Sequence, residues 1–139
     1  MPRAGALLSL SREHHAALVL ARTALRAAEA ADAGETDAGR AAISEVEAHW
    51  DAVMSAHFER EERLIQLARD ALDAGLAQRV MAEHAELRML AGGSCDLELA
   101  DRLRRFANLL KAHVRYEERV LFPQLQAHAS AGNAGKQEA

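Results

Sequence analysis

Histidine and glutamate recur at one spacing in two places in this chain, and that spacing could hold a metal ion. His57 and His113 are each followed by three residues and then by Glu-Glu-Arg. Residues four apart on a helix lie one turn apart on the same face, so His57 stacks beside Glu61 and His113 beside Glu117. Imidazole nitrogen and carboxylate oxygen are good ligands for iron, zinc or manganese. The two pairs are therefore candidate metal ligands.

Two further histidines stand at matching places earlier in the chain. His14 and His84 each follow a glutamate and precede leucines at helical spacing. The sequence therefore consists of two halves with the same order: Glu-His, a break, and then His-x-x-x-Glu-Glu-Arg. Composition alone does not produce a repeated polar pattern of this kind.

The neighbours of each histidine predict which side of its helix it occupies, because residues three, four and seven apart share a face. Those neighbours are mostly apolar: Leu7, Leu10, Ala17, Leu18, Ala21 and Leu25 for His14; Val46, Trp50, Val53, Leu64 and Ala68 for His57; Val80, Met81, Leu87 and Ala91 for His84; Leu99, Leu103, Phe106, Leu109, Leu110, Val120 and Leu121 for His113. We therefore expect these four histidines to point inward. His15 shares its face with polar residues, and His49 and His128 lack the apolar neighbours of the four inward histidines. We therefore expect His15, His49 and His128 at the surface.

Two glutamates within apolar stripes need compensation, because burying a carboxylate costs several kcal/mol unless it is paired or binds a metal. A single buried histidine is usually a hydrogen-bonded core residue, and a single His-x-x-x-Glu pair is often a surface contact. Four inward histidines with two glutamates favour a metal site instead, and six ligands suit two ions better than one. The predicted ligands are His14, His57, Glu61, His84, His113 and Glu117.

The elements that must position these ligands are helices. Ala, Leu, Glu and Arg dominate the composition, and glycine-bearing breaks divide the chain into four predicted helices at 5–31, 37–72, 76–91 and 96–128. Gly75 and the pair at 92–93 are expected to end helices, Ser94 or Asp96 to cap the last helix, and Pro123 to kink or end it. Short connections predict an all-α, up-down-up-down antiparallel four-helix bundle at 1–130, with a disordered tail at 131–139.

Charge and composition exclude several classes of function. The formal net charge is −4, and no arginine cluster is interleaved with aromatic residues, so we expect no nucleic-acid partner. No apolar stretch is long enough to span a bilayer, and none has the form of a signal peptide. The single cysteine, Cys95, cannot form an internal disulfide, which favours a reducing cytoplasm.

The segments SREHHAAL, HFEREERLI, MAEHAEL and HVRYEERVLFP, in that order, resemble the hemerythrin-like family of HHE cation-binding domains over nearly the whole chain. The resemblance implies a non-haem di-iron centre. It assigns His14 and His57 to one iron and His84 and His113 to the other. It makes Glu61 and Glu117, one from each His-x-x-x-Glu pair, the bridging carboxylates.

One departure from the family pattern bears on function. Oxygen-carrying hemerythrins have a second histidine one turn after the third-helix histidine, where this chain has Arg88. With that ligand missing, one iron is left with a water, an extra carboxylate or an open position. Glu118 is the nearest spare carboxylate and is an alternative to Glu117 as the bridge. Glu62 and Arg88 are interpreted as outer or surface groups.

The functional hypothesis is a cytoplasmic metal-binding protein that binds or senses a small diatomic ligand, oxygen or nitric oxide, or handles iron. Alternatives are a di-iron enzyme that consumes peroxide or nitric oxide and a metal reservoir. A redox or signalling partner protein is possible in each case. Trp50, Phe58 and Phe106 are candidates for an apolar wall or for ordinary core, and Tyr116 for a redox-active or surface side chain.

Overall fold

The structure, a computed structural model, describes residues 5–92 and 95–129, and within these ranges the chain forms four helices. The first helix is Ala6–Asp32. The second consists of Thr36–His49, a π-helical turn at Trp50–Met54 and Ser55–Leu67, followed by a 3₁₀ turn at Arg69–Ala71. The third is Ala74–Gly92, and the fourth consists of Leu99–Tyr116, a π-helical turn at Glu117–Leu121 and helical residues 122–129. The prediction of an all-α bundle is confirmed.

Several predicted boundaries differ from the structure. The second helix ends at Leu67, and the third begins at Ala74, so Gly75 lies in the first turn of a helix rather than ending one. Pro123 does not end the fourth helix, because a π-helical turn precedes it and helical structure continues to residue 129. The fourth helix begins at Leu99 with Glu98 at its N-cap position, so the predicted cap at Asp96 was wrong. The alternative cap at Ser94 and the predicted tail at 131–139 lie outside the described residues.

The two π-helical turns keep the buried faces aligned. In the second helix Ala42, Val46, Trp50, Met54 and Phe58 follow one another at four-residue intervals, and all are buried or partly buried. Four residues are more than one turn of a regular α-helix, which has about 3.6 residues per turn, so such a stripe would drift around the helix. A wider turn absorbs that drift, and the stripe stays on the core side.

Two residues that were expected inward lie at the margin of the core. Val53 and Leu64 are partly buried and pack against the two core clusters, beside the fully buried Met54 and Ile65. Met81 in the third helix was also expected inward and is 38% exposed.

The core consists of two apolar clusters with a polar layer between them. One cluster fills the end of the bundle that contains the connection between the first and second helices, and it includes Ala24, Val46, Phe58, Leu90 and Leu103. The other fills the opposite end and includes Leu10, Ile65, Val80, Leu121 and Phe122. The residues between the clusters are the four predicted inward histidines and the two glutamates, all of them buried. The bundle therefore places its polar groups between its two apolar clusters.

Small side chains bring the first and fourth helices together. The first helix presents buried alanines at Ala17, Ala21, Ala24 and Ala28. The fourth presents Ala107 between Leu103 and Leu110. Alanine permits close approach of helix axes, and where neighbouring side chains are short it also leaves a groove at the surface. None of the helices within the described ranges is both long and apolar enough to cross a membrane.

Candidate metal centre

The six predicted ligands meet in the polar layer of the bundle, and each is at most 2% exposed. They form two groups that share both carboxylates: His14, His57, Glu61 and Glu117 in one, and Glu61, His84, His113 and Glu117 in the other. Within each group, one potential ligand atom from every residue lies within 4.8 Å of the others. These are the same two sets that the family resemblance implies for two irons.

The inward nitrogen of every histidine, Nε2, faces one of the two shared carboxylates. Nε2 of His57 and Nε2 of His84 each lie 3.1 Å from an oxygen of Glu61. Nε2 of His14 lies 2.9 Å, and Nε2 of His113 3.1 Å, from an oxygen of Glu117. Longer contacts of 3.4 Å join His14 to Glu61 and His84 to Glu117. Each carboxylate therefore lies between histidines of both halves of the chain.

The outward nitrogen of every histidine, Nδ1, contacts a different glutamate, and we call these four glutamates the outer carboxylates. The Nδ1 distances are 2.8 Å from His14 to Glu118, 2.9 Å from His57 to Glu13, 2.7 Å from His84 to Glu62 and 2.8 Å from His113 to Glu83. Each contact joins neighbouring helices, and together they form a closed ring around the bundle. Because Glu118 lies on the outer side and Glu117 on the inner side, the geometry favours Glu117 over Glu118 as the shared carboxylate.

The outer carboxylates are themselves held by other side chains. Arg60 pairs with Glu13, Arg88 with Glu62 at 2.8 Å, Arg79 with Glu83 at 3.2 Å, and the Ser11 hydroxyl donates to Glu118 at 2.9 and 3.0 Å. Arg88, which replaces the histidine of the oxygen carriers, therefore binds an outer carboxylate. Its role in this structure is to orient Glu62 against His84.

Buried atoms on the inner side lack hydrogen bonds, which is the pattern that a cation site leaves. Nε2 of His57, Nε2 of His113 and both oxygens of Glu61 are buried without a hydrogen-bond partner. An imidazole that donates its Nδ1 proton to an outer carboxylate presents a lone pair at Nε2. That lone pair faces a carboxylate, which can only accept when ionised. Two acceptors in contact need a cation between them, so the donor set fits metal ions.

The raised pKa values of two histidines also indicate that the cluster favours positive charge. Burial lowers the pKa of His14, but contacts with Glu117, Glu118 and Glu61 outweigh it and raise the pKa to about 11. Burial likewise opposes the shift at His84, whose pKa rises to about 10 through Glu117, Glu61 and Glu62. Without metal the cluster holds protons tightly, and metal ions would supply the same compensation.

Aromatic rings cover the histidines on two sides. The Phe58 ring stacks on His84 with 3.9 Å between ring centres and 2° between planes. Phe122 stacks on His14 at 5.1 Å and 13°. Trp50 contacts the edge of Phe58 at 5.3 Å. Of the expected wall residues, Phe58 touches the histidines directly; Phe122, which lies within the segment HVRYEERVLFP, is an additional one that the sequence reasoning did not single out.

The remaining predicted residues have different surroundings. His15 and His128 are exposed, as expected. His49 is half-buried, with Nε2 buried and without a hydrogen-bond partner, so its expected surface position was wrong. Burial lowers the pKa of His49. Tyr116 packs under the guanidinium of Arg79, which lies 3.7 Å from the ring centre.

The sequence reasoning interpreted Glu62 as an outer or surface group and Glu118 as an alternative bridge, but it gave no role to Glu13 and Glu83 and no histidine partner to any of the four outer carboxylates. Their signal was present: Glu13 and Glu83 directly precede histidines, and Glu62 and Glu118 complete the two Glu-Glu pairs. Each of these glutamates serves a histidine on another helix, however. Sequence adjacency does not identify that partner.

Comparison with known proteins gives one match. The model of the hemerythrin HHE cation-binding domain matches residues 7–125 of this chain. That segment contains all four helices apart from the first residue of the first helix and the last residues of the fourth. No curated protein and no solved structure shows significant similarity to the chain.

Proposed function

Because this chain belongs to the hemerythrin HHE cation-binding family, we propose that it is a non-haem di-iron protein that binds or senses oxygen or nitric oxide. The proposed ligands are His14 and His57 for one iron and His84 and His113 for the other, with Glu61 and Glu117 shared. The observation that carries the proposal is the set of buried Nε2 and carboxylate atoms that lack hydrogen-bond partners. Zinc or manganese could occupy the same donors.

The chain's own residues would have three tasks at such a centre. Two ferrous ions would supply electrons and open coordination positions for a diatomic molecule. Glu61 and Glu117 would offset their charge, and the outer carboxylates would keep each histidine proton on Nδ1 so that Nε2 can bind metal. Phe58 and Phe122 would keep water away from the histidines.

A small apolar cavity behind Phe58 supports a very small ligand. Its volume is about 10 Å³, and it is lined mainly by apolar residues such as Leu20, Met54, Leu87 and Phe106. A cavity of this size holds about one water molecule, so it suits a diatomic gas. The free cysteine, Cys95, fits a reducing cytoplasm, where a redox or signalling partner protein would act.

The test is metal analysis of protein purified without oxygen, together with visible spectroscopy. We expect two irons per chain and an iron absorption band that changes reversibly with oxygen or nitric oxide. Glu61→Ala and Glu117→Ala should each lose iron, whereas Glu59→Ala, an exposed change on the same helix as Glu61, should retain it.

Other results would contradict the proposal in distinct ways. Full iron content in both glutamate variants would show that the ligand assignment is wrong. Iron without any response to either gas would indicate a reservoir. Steady consumption of peroxide or nitric oxide, lost in the same variants, would indicate an enzyme.

A further inference from the structure

A groove of about 430 Å³ runs along the surface between the first and fourth helices. Its floor is apolar and its rim is charged. The apolar residues are Leu18, Ala21, Leu25, Ala107 and Val114, and the polar ones are Arg22, Asn108, Lys111, Arg115, Glu118 and Arg119. The volume falls within the range of about 300–1,000 Å³ that is typical of small-molecule sites.

The charge of the groove is opposite to that of the whole chain. Arg22, Lys111, Arg115 and Arg119 are exposed, and none of these four has an ion pair or hydrogen bond to another described residue. Glu118 is the one carboxylate in the lining, whereas the chain as a whole has a formal charge of −4. The groove is therefore a concentration of positive charge on an acidic protein.

Eleven other arginines lie in the described ranges, and slightly more than half of them have acidic partners. Six of them pair with carboxylates: Arg60, Arg79, Arg88, Arg102, Arg104 and Arg105. The four cations of the groove are available for an anion from outside the chain. Guanidinium groups bind carboxylates well because two parallel hydrogen bonds can form.

We propose that this groove binds a small organic anion with an apolar body, of which a medium-chain carboxylate is the simplest form. The apolar part would lie on Ala21, Ala107 and Val114, where short side chains leave room. The carboxylate would lie among the cations of the rim. The groove contains no aromatic residue on which a nucleic-acid base could stack.

An acidic partner protein fits the groove less well than a small molecule does. A stable protein interface buries about 800 Å² on each partner, with aromatic residues at its centre. The lining here is a pocket-sized set of short aliphatic side chains with charged ends. The groove also adjoins the metal centre, because Glu118 lies in its wall and contacts Nδ1 of His14.

The test is titration of the full-length, iron-loaded chain with decanoate, followed by calorimetry and by backbone amide chemical shifts. We expect one decanoate per chain, with shift changes confined to the first and fourth helices. Butyrate keeps the charge but shortens the body, and 1-decanol keeps the body but removes the charge. Each should bind at least about tenfold more weakly than decanoate, and added salt should weaken decanoate binding.

Two matched double variants distinguish decanoate binding in the groove from an effect of general surface charge. Arg22→Gln with Arg115→Gln should weaken decanoate binding by about tenfold or more, since two charge-assisted contacts are lost. Arg26→Gln with Arg63→Gln removes the same charge from exposed positions outside the groove and should leave binding unchanged. All four changes are on the surface and should leave the helical content unaltered.

Four outcomes would overturn the proposal. These are no saturable binding of decanoate, equal binding of 1-decanol, equal loss in both double variants, or saturation by an acidic amphipathic peptide that decanoate does not displace. Iron content and gas binding are measured on the same samples, so failure here is distinguishable from failure of the di-iron assignment.

Discussion

Each histidine of the centre uses both ring nitrogens, and the two contacts have different consequences. The outer contact of Nδ1 with a carboxylate fixes the position of the proton and the orientation of the ring. The inner Nε2 then faces Glu61 or Glu117 as an acceptor. The metal affinity of the site therefore depends on residues that would not contact the metal.

Removal of one outer carboxylate tests this dependence. Glu62→Ala leaves Nδ1 of His84 without its acceptor, so we expect metal affinity to fall by about 10–100-fold while the fold is retained. Arg88→Gln removes only the group that orients Glu62 and should have a smaller effect. Competition with a metal-binding dye measures both affinities.

The control for this experiment is Glu59→Ala, which removes an exposed carboxylate from the same helix. It should bind metal as the unchanged protein does. An equal loss in Glu59→Ala and Glu62→Ala would mean that overall charge, rather than the contact with His84, sets the affinity.

Sequence reasoning identified the four inward histidines of the centre, because helical periodicity is a property of a single segment. His14 and not His15 is buried, as the apolar neighbours of His14 predicted. The partner of each Nδ1 could not be predicted in this way, since His57 and Glu13 lie 44 residues apart on different helices. That pairing depends on how the helices are arranged in space.

At the scale of the helices, the π-helical turns are the feature that periodicity could not predict. A regular α-helix was assumed throughout, whereas the second helix has a π-helical turn at Trp50–Met54 and the fourth has one at Glu117–Leu121. The wider turn accommodates one additional residue while the segments on both sides keep their packing. The register of His57 against the first and third helices is preserved by that turn.

Single-residue deletions test this interpretation of the π-helical turn. Deletion of Ala52, an exposed residue within the turn at Trp50–Met54, should convert it to a regular helix and leave His57 inward. Ala85 is an exposed residue beside His84 in a helix without such a turn. Its deletion should rotate the residues before it, relative to those after it, by about 100° about the helix axis. We expect the first variant to retain its metal and the second to lose it, as measured by metal analysis and circular dichroism. Equal loss in both variants would show that the turn does not absorb a residue.

At the scale of the whole molecule, the polar layer makes the stability of the bundle depend on what occupies it. The raised pKa values of His14 and His84, about 11 and about 10, belong to the metal-free protein. A histidine whose pKa is higher in the folded state than in the unfolded state stabilises the fold fully below its unfolded value, about 6.5. That contribution is lost as the pH rises towards the folded value. Bound metal replaces these protons and removes the dependence.

The melting temperatures of the metal-loaded and the metal-free protein should therefore diverge as the pH rises. Between about pH 6 and about pH 9 we expect the melting temperature of the metal-free protein to fall, while that of the loaded protein stays nearly constant. Differential scanning calorimetry measures both. A difference that narrows as the pH rises would contradict protonated histidines in the metal-free cluster.

The ring of outer carboxylates also bears on how such a bundle could have arisen. Two of its four contacts, Glu13 with His57 and Glu83 with His113, lie within a half of the chain. The other two, Glu62 with His84 and Glu118 with His14, join the halves. A single helical hairpin bearing one half of the motif would make all four contacts by pairing with an identical copy of itself. Gene duplication and fusion of such a hairpin would yield this ring in one chain without any new residue.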